Sequence, residues 1–309
     1  MGRRRKGQPI TGWLAIDKPA GMTSAHVVAV VRRLTGAARV GHGGTLDPLA
    51  TGVLPIALGE ATKTVAYAMD GSKLYRFTVR WGEARATDDA EGPVTETSPH
   101  RPDRAAIEAA LPGFIGEIEQ IPPIYSAIKV DGRRAYDIAR SGDPAPAMTS
   151  RKVKIEAFQL VDMPTADLAV FQVRSGKGVY MRALARDLAR ALGTVGHIAQ
   201  LRRLAVGPLT EKTAISLDSL ASLVHSARLA EALMPVATVL DDIPALALTD
   251  VEAGRLRHGQ PIAALPVASR SPHVELSPGA LVRAMTGDRL VALAEIHGGE
   301  IRPVRVIND

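Results

Sequence analysis

Apolar and polar positions recur along this chain with two periods, and the changes of period divide it into elements. Residues 13–17 (Trp-Leu-Ala-Ile-Asp) form a short apolar run that Lys18-Pro-Ala-Gly-Met22 ends as a turn, which predicts a strand. A helix should follow at once. Val27, Val28, Val31 and Leu34 return at helical spacing, Thr23 or Ser24 can cap the start, and Gly36 stands where a C-terminal cap belongs. Residues 53–58 are apolar but too few to assign by period. In 74–80, Tyr75, Phe77 and Val79 alternate with Arg76, Thr78 and Arg80, predicting a strand whose inward row is led by Tyr75. Further strands are expected at 153–160 and 168–174, and a short helix over 103–111 capped by Asp103. After Lys177-Gly178 the period becomes helical: Arg182, Arg186 and Arg190 form one row, Leu184, Leu188 and Leu192 another, implying a basic face and a buried face. Gly193 ends that helix, and 198–204 resumes with Arg202-Arg203. A helix over 217–233 opened by Ser216 is predicted next, and 290–297 and 301–307, separated by Gly298-Gly299, read as a closing hairpin.

All eleven aromatic residues lie between Trp13 and Tyr180, so a second core without aromatics is expected toward the C-terminus. The change of character at Asp241-Asp242-Ile243-Pro244 places a boundary there, giving domains 1–240 and 241–309. The tail module, of about 65 residues, is marginal alone and should pack on the first domain. With no cysteine, disulfides, thiolate nucleophiles and Cys-ligated zinc are excluded. The basic start lacks the apolar run of a secretory signal and no segment is long enough to span a bilayer, so a cytoplasmic protein without a membrane partner is expected. Net charge is +6, and residues 129–154 hold seven basic residues against three acidic ones. A polyanion is the partner such a distribution suits, although a solvated surface loop would look the same.

The densest chemistry is Gly41-His-Gly-Gly-Thr-Leu-Asp-Pro-Leu-Ala-Thr-Gly52, four glycines, one histidine and one carboxylate in twelve residues. Its glycines permit positive φ or close approach, and Asp47-Pro48 favours a turn. Asp47 is thus either a presented acid or a turn former. The eight histidines show no metal-ligand spacing, no phosphate-binding glycine motif is present, and no serine stands in a nucleophile elbow, so neither metal nor cofactor is expected. What remains is a lone carboxylate with basic and aromatic partners. Such a group acts as a nucleophile when a neighbouring arginine favours its ionised form and fixes its direction, and Arg182 could be that partner. Tyr75 and Tyr180 could stack on a planar base, or could simply be core tyrosines.

The blocks Leu14-Ala-Ile-Asp-Lys-Pro-Ala-Gly-Met-Thr-Ser24, Gly41 to Gly52, Tyr125-Ser-Ala-Ile-Lys-Val-Asp-Gly-Arg-Arg-Ala-Tyr136, Gly178-Val-Tyr-Met-Arg182 and Leu201-Arg-Arg-Leu204 resemble, in order and spacing, those of the TruB-type tRNA pseudouridine-55 synthases. The resemblance runs from about Trp13 to the C-terminus, and the tail from about Ile243 is similar, more loosely, to a PUA domain. It implies an α+β fold: a mixed, mostly antiparallel catalytic sheet with a central cleft, plus a small β-rich PUA-like RNA-binding domain. It implies a monomer that isomerises uridine 55 in the tRNA T loop by base flipping, without cofactor or metal. By the same resemblance Asp47 is the nucleophile, Arg182 its ion-pair partner, and Tyr75 the ring that stacks on the base and takes its proton. Tyr180 and Leu201 line the uracil pocket, and His42 fills the space the flipped nucleotide leaves. Lys18 and Pro19 support the catalytic loop. The basic stretch, within an insertion at about 125–154, is the thumb that closes on RNA through Lys129, Arg133, Arg134, Arg151 and Lys152. Gly43, Val179 and Met181 depart from the commoner residues at their positions but remove no chemical group. A tRNA-folding chaperone would use the same surfaces without turnover. A guide-RNA-dependent relative would carry an N-terminal extension, for which motifs beginning at Trp13 leave no room.

Overall fold

The computed structural model describes residues 7–126, 128–130, 132–140, 148–274 and 277–308. Its frame is a nine-stranded mixed sheet in the order Gly12–Lys18, Thr51–Leu58, Gly196–Val206, Lys73–Trp81, Leu168–Ser175, Arg151–Thr165, Gly116–Gln120, with Val40–His42 and Leu209–Thr210 off this path. Neighbours pair antiparallel except Thr51–Leu58 and Gly196–Val206, which run parallel through Arg202↔Thr51 and Arg203↔Gly52.

Alternation builds the centre. On Lys73–Trp81, Phe77, Val79 and Trp81 are buried while Arg76 and Arg80 face solvent. Phe77 packs 5.6 Å from Phe171 and 6.1 Å from Phe158, ring centre to ring centre. Each such ring stabilises the fold by about 1.5–3 kcal/mol through burial. Tyr75 lies on the same face, half-buried at the edge of this cluster. The unassigned run 53–58 belongs to Thr51–Leu58, where Gly52 to Leu58 are all buried, which is why it reads as continuously apolar. The helix Ser24–Thr35 has the expected caps: Thr23 accepts from the His26 amide, and Gly36 ends it at φ 65°.

Three expectations change. Residues 198–204 do not resume a helix but belong to the Gly196–Val206 strand, inserted between two others. The helix opened by Ser216 stops at His225, and Ala227 at φ 57° turns the chain before a short 3-10 segment, Leu229–Glu231. The row on Met181–Ala191 is not a solvated basic face, because Arg182 is buried and Arg186 largely so, each engaged by carboxylates.

The insertion leaves the sheet at Gln120 and returns at the paired residue Arg151. Within it Lys129–Val130 and Arg133–Arg134 form a hairpin ahead of the helix Ala135–Arg140. Arg133 is exposed there, and the side chains of Lys129 and Arg134 lie outside the described residues. The C-terminal part forms a five-stranded sheet in the order Ala245–Ala247, Leu281–Thr286, Arg289–His297, Glu300–Val306, Ile262–Ala263. Its aromatic-free core includes Leu246, Leu256, Val282, Ile296 and Ile301. Leu290, Leu293 and Ile307 share a separate cluster with Trp13, Val53, Val236 and Leu240, so the small sheet does pack on the large one.

Candidate active site

The loop 41–52 is held from three directions. Gly52, at φ 99°, pairs with Arg203 so closely that a Cβ would fall 2.2 Å from the Arg203 carbonyl oxygen; only glycine closes this joint. The buried Arg203 side chain donates from Nη2 to Gly44 O (3.0 Å), from Nη1 to Thr45 O (3.5 Å) and from Nε to Val53 O (2.8 Å). Ser24 Oγ accepts from Leu46 N at 2.9 Å and donates to Leu46 O at 3.1 Å. Buried Lys18 donates to the carbonyls of Pro19 (3.0 Å), Met22 (2.6 Å) and Pro48 (3.0 Å). Both neighbours of Asp47 are therefore tethered. Burial brings the Lys18 ammonium down to about 8, against the opposing charges of Asp47 and Glu91.

Asp47 does form a turn, its carbonyl accepting from Ala50 N at 3.1 Å. Its side chain is free for another purpose: Oδ2 accepts from Arg182 Nε at 2.9 Å, and the side chain keeps 32% of its surface exposed. Arg182 lies in the first turn of Met181–Ala191, where the helix dipole opposes a cation, and it is only 4% exposed. Its remaining nitrogens are used in full: Nη1 donates to Thr87 O (2.9 Å) and faces Asp89 Oδ2 (3.6 Å), and Nη2 donates to Tyr125 O (2.9 Å). Arg186 pairs in the same way with Asp88 (3.0 Å) and Asp187 (2.9 Å). Burial raises Asp88 above the ordinary carboxylate range although Arg186 and Arg182 oppose it, and burial followed by the Asp89 and Asp47 charges raises Glu91.

Asp47, Tyr75, Tyr180, Arg182, Leu201, Arg151 and Lys152 line one cavity of about 550 Å³. Tyr180 is fixed by Gln120, whose amide oxygen accepts from Tyr180 N (2.8 Å) and whose amide nitrogen donates to Tyr180 O (3.2 Å). The Arg151 guanidinium stands 5.0 Å above the Tyr180 ring centre and also donates to Gly178 O. Lys152 is exposed and paired with Glu117 at 3.0 Å. Pro19 stays outside the cavity, its carbonyl accepting a hydrogen bond from Lys18 Nζ.

His42 does not join this group. It lines a second groove of about 980 Å³ with Arg32, Arg39 and Thr62. Its Nδ1 is buried without a partner among the described residues, and burial, then Arg203, lowers its pKa.

Sequence reasoning missed Asp89, Gln120, Arg203 and the buried cavity lysine Lys73, which burial and then Arg203 lower to about 8. A signal existed for Asp89: Thr87-Asp-Asp-Ala-Glu91 is an acidic loop matching an arginine row that lacked partners. Among the described residues no group of three or more potential ligands could hold a metal ion, and no helix is long and apolar enough to cross a membrane.

Residues 32–181 match the TruB family pseudouridylate synthase N-terminal domain, and 182–241 the tRNA pseudouridylate synthase B C-terminal domain. The tRNA pseudouridine synthase B of Rhodospirillum rubrum is 59% identical over 308 residues, covering 100% of both chains. That of Gluconacetobacter diazotrophicus is 56% identical over 306 residues, covering 99% of this chain and 100% of the relative. Among solved structures, a chain of the crystal structure of a Cbf5-Nop10-Gar1 complex is similar at 26% identity and a TM-score of 0.77, over 96% of this chain and 85% of that one. A chain of the structure of an H/ACA RNP bound to a substrate RNA containing 2'-deoxyuridine shares the fold, with a TM-score of 0.75 at 23% identity over 100% of this chain and 92% of that one. A mixed sheet opening at its central strands onto an arginine-held aspartate is, with these likenesses, the organisation of a pseudouridine synthase. The chain belongs to the TruB family of these enzymes.

Proposed function

We propose that this protein isomerises uridine 55 in the T loop of tRNA to pseudouridine, with Asp47 as nucleophile. The observation that carries the proposal is the 2.9 Å contact between Arg182 Nε and Asp47 Oδ2 inside a cavity walled by Tyr75, Tyr180 and Leu201. A uracil stacked in a folded loop cannot turn over, so it is extruded into that cavity, at a cost of a few kcal/mol that stacking and phosphate contacts offset. There Asp47 attacks to form a covalent bond, the N1–C1′ bond breaks, the base rotates, C5–C1′ forms, the bond to Asp47 breaks to return the carboxylate, and the C5 proton leaves to a base as the N1 proton is gained. Attack on C6 of the base and attack on C1′ of the sugar both employ the same carboxylate. Tyr75, on the same cavity wall, stacks on the base and takes the proton. The basic insertion, through Arg133, Arg151, Lys152, Lys129 and Arg134, holds the RNA backbone, and the C-terminal sheet serves as a PUA-like RNA-binding domain. The protein acts as a cytoplasmic monomer.

The test is to incubate purified protein with unmodified tRNA transcripts and map pseudouridine by nucleotide. Modification at position 55, reduced by at least about 10³-fold in Asp47→Asn, is the expected result. Product at another position refutes the substrate assignment. An Asp47→Asn protein that still forms pseudouridine refutes the nucleophile, and one that still folds tRNA without forming any shows a separate chaperone activity.

A further inference from the structure

One buried titratable side chain plays no part in the chemistry above. His197, on the Gly196–Val206 strand, is 2% exposed, and its Nδ1 lies 2.8 Å from the carbonyl oxygen of Glu83. The next residue repeats the attachment from the backbone, Ile198 N donating to Asp88 O at 3.1 Å, with Ile198 bridged to Asp89. Two consecutive residues of one rigid central strand thus hold both ends of segment 83–89, the first limb of the Glu83–Arg85 and Val94–Thr97 hairpin and the acidic loop after it. That loop holds the arginines: Thr87 O and Asp89 meet Arg182, and Asp88 meets Arg186. Arg182 in turn holds Asp47.

The loop 83–89 is half-buried and offers only Ala84 and Ala86 as apolar anchors. Asp88 takes φ 57°, a conformation a non-glycine residue keeps only when its surroundings impose it. The surroundings here are the Ile198 amide and the two arginines at the acidic end, and the His197 imidazole at the Glu83 end. A buried histidine needs a partner for its ring N–H, and a carbonyl at the root of the hairpin is what it has found. The ring is neutral at ordinary pH, because burial, outweighing the Glu83 hydrogen bond, and the Arg85 charge lower its pKa, so it serves as a donor and not as a charge. The same strand presents Leu201 to the cavity and sends Arg203 to the carbonyls of Gly44 and Thr45. The Asp47 loop and the Arg182 loop are therefore both indexed to one strand, from its two ends.

We infer that His197 is a positioning residue for catalysis, acting through Glu83 and the acidic loop to set the Arg182 guanidinium on Asp47. The inference rests on the reading of Asp47 and Arg182 given above. It predicts an effect on the chemical step with little effect on RNA binding, since His197 faces neither cavity.

The test compares His197→Phe, which keeps an aromatic ring but no donor, with His197→Asn, whose amide nitrogen is carried on Cγ as Nδ1 is and restores one. Misplacement of a reacting group by about 1 Å can lower a rate about 10²-fold, so a partial displacement in His197→Phe is expected to lower the single-turnover rate about 10-fold. The dissociation constant for catalytically inert T-arm RNA should stay within about twofold, and His197→Asn should recover the rate to within about threefold of wild type. A folded His197→Phe with the wild-type rate overturns the inference. So does a loss appearing wholly as weaker RNA binding, or an equal loss in both variants. If His197→Phe melts below the assay temperature, the Arg182 Nε–H resonance supplies the measure: it should stay in place in His197→Asn and move in His197→Leu, which has the same branching and no donor. No movement in either overturns the inference. Asp47→Asn measured alongside separates the two levels, because an active Asp47→Asn removes the underlying reading, whereas an inactive one beside a fast, folded His197→Phe removes only this proposal.

Discussion

The two sides of the glycine loop are built to different rules. Toward Asp47, the neighbouring backbone is held by Lys18, Ser24 and Arg203, and the carboxylate itself by an arginine with every nitrogen engaged. Toward His42 the groove is larger, its wall combines Gly36, Ala37, Ala38 and Gly41 with Arg32 and Arg39, and the buried Nδ1 of the histidine has no partner among the described residues. One side is satisfied before any ligand arrives; the other leaves a polar atom to be satisfied by one. Under the function proposed above, the contrast separates reaction from recognition. Preorganised charge lowers a barrier because nothing need rearrange as the reaction proceeds, while an unpartnered polar atom favours whatever supplies its hydrogen bond.

Replacing Arg182 by Lys puts most strain on this contrast. A lysine keeps the charge but cannot span Asp47, Thr87 and Tyr125 together, so the single-turnover rate should fall by about 10²–10³ with RNA affinity nearly unchanged. An effect confined to affinity would erase the distinction between the two sides.

Lys18 gives a smaller, pH-dependent effect. Its folded pKa, about 8, lies below the ordinary 10.5, so between those values the folded state binds fewer protons than the unfolded one. This group's contribution to stability therefore rises with pH over that window and is lost as pH falls through about 8. The rate should move the other way: deprotonation removes one of the hydrogens that hold Pro19, Met22 and Pro48, and activity should decline above pH about 8. Lys18→Met should be slower throughout, by about tenfold, and should lose this alkaline limb, while Lys73→Met retains it. A pH–rate profile of the three proteins decides it.

The smallest effect belongs to the other side. His42→Ala should raise KM by about tenfold and leave the saturated rate within about twofold, as expected for a contact made equally in the ground and transition states. A fall in the saturated rate instead would place His42 with Asp47 after all.

Local pattern made much of this legible. The caps of Ser24–Thr35, the row led by Tyr75 and the glycine loop are each written in a few adjacent residues, and each is where the sequence puts it. The partners of Arg182 are not written that way. Thr87 is 95 residues away, Asp47 is 135, and Gln120 stands 60 from the Tyr180 it fixes, so no periodicity records those contacts. The arginine row was visible, but its burial was not, because charge at helical spacing looks alike whether it faces water or a set of carboxylates. The separation of His42 from Asp47 was hidden for the opposite reason: five residues apart in sequence, they fall on opposite flanks of a bend.

The root of the insertion behaves as a lever. Gln120 and Arg151, the points where that segment departs and comes back, are the same two residues that grip the backbone and ring of Tyr180. Under the function proposed above, any pull that bound RNA exerts on the arm is delivered straight to the ring that shares a cavity with Asp47, so gripping the strand and seating its base become a single mechanical stroke.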